Sequence, residues 1–392
     1  MTDFLSEAQA LFEYTQSMRR DFHSHPELGF HEIRTAGIVA NELTSLGLEV
    51  HTGVGGTGVV ALLEGAKPGP VVLVRADMDA LPIQEETGAP YASQNPGIMH
   101  ACGHDGHTAV LLTVAKMLTT HRSQLSGIVK FMFQPAEEGM GGAEKMIAEG
   151  VLENPKADVA LALHVWNEKP IGWVGIAGGP VMAGAEIFKV KLLGKGGHGA
   201  VPHQAVDPVL AAAQVISGLQ GIVARNIAPL QTAVVSVCTI HGGEAFNVIP
   251  PAVEMTGTIR TFEREVRTRV LERFEKTVKS IAEGMGCLAE IELQLLTPAT
   301  INQPETANRV QEVSRRLFPE TVVDTANHIT MGSEDFAFIL EKVPGCFIFI
   351  GSANTEKGLD AGHHHPKFDI DETALPRGAA LMAATISDFL IS

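Results

Sequence analysis

The strongest constraint in this sequence is a change of period along the chain. Two helical stretches come first, from an N-cap at Ser6 to about His23 and from about Glu32 to Leu46, where Gly47 ends the pattern. Short β-branched runs bounded by Gly and Pro then take over, VVAL at 59–62 and VVLV at 71–74. A helix is predicted near 106–120, a strand at 128–133, a helix near 142–149 and a strand at 158–163. Strands alternating with helices imply a parallel sheet covered on both faces. The order then changes. EIFKVKLLG (186–194), a helix from about Pro208 to Ala224, AVVSVCTI (233–240), VEMTGTIRTF (253–262), a helix from about Glu263 to Glu283 and LAEIELQLL (288–296) read β-α-β-β-α-β. That is the ferredoxin-like pattern. After TPATINQPE come a helix near 305–317, a short helix near 334–341, the strand CFIFI (346–350) and a final helix from about Glu372. The expected organisation is an α/β domain formed by 1–182 and 298–392, interrupted by an α+β domain at 183–297. The edge strands of the insertion suit pairing with a second copy, a route to a two-fold dimer.

Composition narrows the partners. Of 392 residues, 45% are hydrophobic and 19% charged, which excludes a disordered acidic polymer. The 29 basic and 45 acidic side chains leave a net charge of −16, a surface that repels phosphate backbones, so a small solute is expected rather than nucleic acid. Four cysteines without a C-x-x-C pair argue against a disulfide framework and for a reducing compartment. No secretory signal is evident in the first residues, and no uninterrupted apolar run approaches the ~18 residues of a membrane span. The expectation is a cytoplasmic protein without a membrane partner.

Four polar clusters fall where open α/β sheets bind ligands, at the carboxyl ends of strands. RADMDALP places Asp77 and Asp79 after VVLV, and MHACGHDGH places His100, Cys102, His104, Asp105 and His107 at the opening of a helix. FQPAEEG places Glu137 and Glu138 after the strand at 128–133, and LHVW places His164 at the end of the strand at 158–163. Taken singly, Asp77 reads as a helix cap, Glu137-Glu138 as a dipole-favoured helix start and Cys102 as a small buried hydrophobe. Thiol, imidazole and carboxylate donors together on one sheet edge favour a metal centre for a borderline ion such as Zn2+ or Mn2+. Two other motifs lead away from chemistry. GKGGHG (194–199) matches G-x-G-x-x-G, but its last glycine opens no helix, and His31-Glu32 begins an H-E-x-x-H whose fifth position is Thr35.

MHACGHDGH, FQPAEEG and GKGGHGAVPH together, with RRDFHSHPELGF, RADMDALP, GTIRTF, GSEDF and HHHPKFDIDE in the same order, resemble the dimetal amidohydrolase and carboxypeptidase family. That family contains hippurate hydrolases, N-acyl-amino-acid amidohydrolases and auxin–amino acid conjugate hydrolases, and the resemblance covers almost the whole length. It implies a three-layer α/β/α zinc-exopeptidase-like domain with an inserted dimerisation or lid domain. It also implies two divalent ions, Zn2+ or Mn2+ with Co2+ and Ni2+ as alternatives, held by Cys102 as the bridge, His104, Glu138, His164 and one C-terminal histidine. The family's His-x-Pro-x-Phe pattern selects His364, although His363 and His365 flank it. Glu137 matches the general base that takes a proton from the attacking water, and Asp79 the carboxylate that orients a metal-site residue. His198 matches a histidine that a dimer partner contributes to stabilise the oxyanion. Arg260 would grip the substrate carboxylate and Asn247 would donate to the same substrate, with Glu334 as a further lining candidate. The function implied is hydrolysis of the amide of a hippurate-like N-acyl-amino acid by a homodimer or dimer of dimers. Its rivals are a carboxypeptidase or dipeptidase and a catalytically idle metal-binding module.

Overall fold

The computed structural model describes residues 3–326 and 328–391. They separate into two compact units: Met1–Val181 with Ile301–Ile329 and Glu334–Ser392, and Met182–Thr300 with Thr330–Ser333. The first unit opens with α1 (Phe4–Ala10), α2 (Phe12–Ser24) and α3 (Ile33–Ser45). The first predicted helix is therefore two. Its cap is Asp3 rather than Ser6, because the Asp3 carboxylate accepts the Ser6 N–H at 3.1 Å, and the run breaks at Leu11. Then follow β1 (Glu49–Val54), β2 (Gly58–Glu64), β3 (Lys67–Asp77), α4 (His104–Thr120), β4 (Ser126–Gln134), α5 (Gly142–Ala148), β5 (Val159–Pro170) and β6 (Val174–Gly175).

The second unit supplies β7 (Gly184–Leu193), α6 (Pro208–Asn226), β8 (Ala233–His241), β9 (Ala252–Thr261), α7 (Arg264–Gly284) and β10 (Leu288–Thr297). The chain re-enters the first unit through α8 (Pro304–Leu317), β11 (Val323–Asp324), α9 (Ala337–Leu340), β12 (Gly345–Ala353) and α10 (Ala374–Leu390).

The large sheet runs β1-β2-β4-β3-β5-β12-β6-β11. Its centre, β4-β3-β5-β12, is parallel, and these strands are buried from Val71 to Asp77, from Val159 to Asn167 and throughout β12. That is the run expected of a strand with both faces covered. The flanks correct the expectation of a parallel sheet. β1 and β2 form a hairpin turning through Gly55 (φ +68°) and Gly56 (φ +110°), a connection too short for anything but antiparallel pairing, and β2 in turn lies antiparallel to β4. β6 is likewise antiparallel to β12.

The second unit is a four-stranded antiparallel sheet in the order β8-β9-β7-β10, the ferredoxin-like arrangement. Phe188 and Val190 of β7 pack beneath Val215 and Leu219 of α6 and Val270 and Phe274 of α7, with the Phe188 and Phe274 rings 4.6 Å apart. Asp207 caps α6 by accepting from the Val209 and Leu210 amides, and Pro208 follows at the first helical position. By length and composition alone α6 would suit a membrane crossing. In this unit it is an amphipathic cover, with Gln214, Ser217 and Gln220 exposed opposite its buried stripe.

Candidate metal centre

The parallel centre of the large sheet sends the C-terminal ends of β3 and β4 to one edge, and α4 begins beside them. β3 ends at Asp77, with Asp79 two residues on, and β4 ends at Gln134, ahead of Glu137 and Glu138. His164 lies within β5, and Cys102 and His104 sit at the start of α4. Only glycine serves just before that helix. Gly103 has φ +89°, and a Cβ there would come within 2.4 Å of Val165 Cγ2.

Ligand atoms of Cys102, His104 and His164 lie within 4.8 Å of one another, and so do those of Cys102, Glu138 and His364. Cys102 is thus common to two triads, the placement a thiolate between two cations requires. Its Sγ is 3.6 Å from His164 Nε2. Hydrogen bonds assign the ring tautomers. His164 Nδ1 donates to the Val165 carbonyl at 2.5 Å, and His104 Nδ1 donates to the Asp79 carbonyl at 2.9 Å and faces Asp79 Oδ1 at 3.2 Å. Both rings therefore turn an Nε2 lone pair to the centre. Glu138 Oε1 lies 3.2 Å from His364 Nε2 but takes no hydrogen bond. Buried His104 Nε2 also lacks a hydrogen-bond partner among the described residues. Unsatisfied buried acceptors are costly, and a cation would satisfy these two. The donor set fits a metal.

The three consecutive histidines have different surroundings. His363 accepts the Asn167 N–H on Nε2 at 3.2 Å, so its Nδ1 carries the hydrogen that faces Cys102 Sγ at 3.8 Å. His365 accepts the Lys367 N–H on Nδ1. His364 takes φ +64°, its amide donating to the Ala101 carbonyl at 2.8 Å, and reaches Glu138.

Asp79 ties two sides of the site together, since its Oδ2 accepts the Glu138 N–H at 3.0 Å while its Oδ1 faces His104. Glu137 is 8% exposed and accepts the Asp335 N–H at 3.3 Å. Burial, Glu334, Glu138 and Asp335 push its carboxyl well above the usual range. Burial also opposes the charge of Asp77, but His104, His107 and Arg75 outweigh it and hold that carboxyl well below its usual range. Burial, with His107 and His363 nearby, keeps His164 neutral. Arg75 joins this network to the re-entering chain, with Asp77 at 2.7 Å, Glu334 at 2.8 Å and Asp335 at 3.1 Å. Sequence reasoning missed Arg75 and Asp335, although a cation inside the apolar run VVLVRA signals a buried charge in need of carboxylate partners.

The remaining candidates belong to the second unit. His198 is exposed, in the short pair that joins Gly197–His198 to Val248–Ile249. Its Nδ1 accepts the Ala200 N–H at 3.0 Å, which leaves the hydrogen on Nε2. Asn247 is exposed beside that pair, its carbonyl accepting from Gly199. Arg260, near the end of β9, has a buried terminal nitrogen without a hydrogen-bond partner among the described residues, while Glu186, the nearby carboxylate, is bonded to Arg267. The structure thus groups Cys102, His104, Glu138, His164, His364, Glu137 and Asp79 in one unit, and His198, Asn247 and Arg260 in the other.

Residues 73–388 match peptidase family M20/M25/M40. The chain is 42% identical to an N-acetylcysteine deacetylase of Bacillus subtilis over 360 residues, 92% of each chain. It is 39% identical over 390 residues to thermostable carboxypeptidase 1 of Saccharolobus solfataricus, 98% of each. A Bacillus subtilis protein whose crystal structure is described as a dinuclear metal binding peptidase, YXEP, superposes with a TM-score of 0.84 at 37% identity, covering 96% of this chain and 98% of that one. By sequence and by fold, the chain belongs to peptidase family M20/M25/M40 and is a metal-dependent amidohydrolase.

Proposed function

We propose that this enzyme hydrolyses the amide bond of hippurate-like N-acyl-amino acids, releasing a carboxylic acid and a free amino acid. The observation that carries the reading is the sharing of Cys102 by two ligand triads beside a buried carboxylate, Glu137. Cys102, His104, Glu138, His164 and His364 would hold two divalent ions, Zn2+ or Mn2+ as the leading choice. Such ions, when bound, polarise the scissile carbonyl and acidify water near neutral pH. Asp79 orients His104 and the Glu138 backbone. Glu137 takes a proton from water as the oxygen adds to the carbonyl carbon, and returns it to the departing nitrogen when the C–N bond breaks. His198, with its hydrogen on Nε2, donates to the oxyanion from a partner subunit.

The homodimer this requires has exposed edge strands, β8 and β10, available for pairing. Arg260, with an unsatisfied guanidinium nitrogen, grips the substrate carboxylate, and Asn247 donates to the same substrate. A functional free thiol at Cys102 suits a cytoplasmic, reducing setting.

The test is Glu137→Gln assayed with benzoyl-glycine. Turnover should vanish while metal content stays at the wild-type level, and near-wild-type turnover would sink the base assignment. Mixing inactive Glu137→Gln and His198→Ala chains should restore activity through hybrid dimers. The 39% identity to a carboxypeptidase favours a second reading, with a peptide on the acyl side. Faster cleavage of unblocked dipeptides than of benzoyl-glycine would establish it.

A further inference from the structure

The glutamate of the abortive His31-Glu32 motif has a position that metal chemistry does not explain. Glu32 is fully buried, at 0% exposure, and precedes α3 without capping it. Capping falls to Glu27, whose carboxylate accepts the Arg34 and Thr35 amides at 2.9 and 2.8 Å. Glu32 instead sends Oε1 to the Ala136 N–H at 2.9 Å and takes the Thr57 hydroxyl on Oε2. Among the described residues it has no ion-pair partner, and burial raises its carboxyl above the usual range.

Ala136 is no ordinary donor. It holds φ +54°, a left-handed conformation that residues with a Cβ adopt only when their surroundings impose it. The next two residues are Glu137 and Glu138. The turn is pinned on both sides by buried carboxylates, Glu32 at the Ala136 amide and Asp79 at the Glu138 amide. The Gly142 N–H closes it by donating to the Ala136 carbonyl at 3.1 Å.

We propose that Glu32 is a positioning residue for catalysis, which locks Ala136 in its left-handed conformation and thereby aims Glu137 at the attacking water and Glu138 at the metal centre. Thr57 orients the Glu32 carboxylate for this purpose. The inference rests on Glu137 acting as the base, and Glu137→Gln run in parallel separates the two ideas. An active Glu137→Gln sinks the base, whereas an inactive Glu137→Gln beside a fully active Glu32→Ala sinks only the role of Glu32.

The experiment compares Glu32→Ala and Glu32→Gln holoenzymes by kcat, KM, metal content and hydrogen exchange of the 135–138 backbone. Glu32→Ala should lower kcat by about 10- to 100-fold, with KM changed by less than about threefold and metal retained, the size expected when a supporting partner of a site is lost. The Ala136 amide should exchange faster. Glu32→Gln should recover most of kcat, because its carboxamide oxygen still accepts from Ala136. Wild-type kcat in folded Glu32→Ala, or equal damage in both variants, would overturn the proposal. If Glu32→Ala does not fold, Thr57→Val carries the test: a kcat loss of about threefold or more at unchanged KM supports it, and a wild-type kcat overturns it.

Discussion

His107 donates from Nδ1 to Asp77 Oδ1 across 2.6 Å, and its Nε2 accepts the N–H of Val165 at 2.9 Å. Both ring nitrogens are engaged, so this imidazole offers no lone pair to a cation although it lies 5.5 Å, centroid to centroid, from His104. His107→Asn should leave metal stoichiometry unchanged in elemental analysis. It should cost about 1–3 kcal/mol of stability, because the buried Asp77 loses a donor. Loss of one metal equivalent would make His107 a ligand after all.

Cys102 is the donor common to both triads, so its removal should be felt at both positions. Purified Cys102→Ala should retain half or less of the wild-type metal. Turnover should drop by more than the roughly 10- to 100-fold typical of losing an outer partner of a ligand. Wild-type metal content in this variant would exclude a bridging thiolate.

Behind the α4 opening, His23 faces Asp105 through Nδ1 at 2.8 Å and Glu85 through Nε2 at 3.3 Å. Burial and Arg19 oppose its protonation, but the two carboxylates outweigh them and raise its pKa to about 8. A folded-state pKa above the ordinary value of about 6.5 means stability that is fully present below pH ~6.5 and lost as pH rises through about 8. The stability gap between wild type and His23→Gln in urea melts should therefore shrink by about 2 kcal/mol between pH 6 and pH 9. A gap that widens over this range would reverse the sign of the assignment.

Arg260 has the geometry for a carboxylate and an unsatisfied nitrogen to offer it. Arg260→Gln should raise KM for benzoyl-glycine by about 10- to 100-fold, the worth of a charge-assisted pair. KM for benzoyl-glycinamide should hardly change. Equal effects on both compounds would remove Arg260 from the carboxylate site.

The acids at the strand ends were legible because the period changes there: VVLV stops and Asp77 and Asp79 follow, as Glu137 and Glu138 follow the strand at 128–133. β1 escaped notice for the opposite reason. EVHTGV has no fully buried residue and hence no apolar alternation to detect. Its absence from the reading made the sheet look wholly parallel. The three histidines could not be told apart by residue type either. What distinguishes His364 is a left-handed backbone angle, a property of the turn around it rather than of its neighbours in sequence. Arg75 and Asp335 meet only through the fold, the one on β3 and the other just ahead of α9.

β12 lies between β5 and β6 at the heart of the large sheet, yet the whole second unit separates it in sequence from the strand it pairs with. On the ribosome, β5 is made first and waits with an open hydrogen-bonding edge while every strand of the second unit is synthesised. Until β12 arrives, that edge is a template for the wrong partner, and His364 follows β12 in the chain, so it is made later still. The β5 edge is thus unpaired throughout synthesis of the second unit, and the candidate centre is complete only once the C-terminal segment has been made.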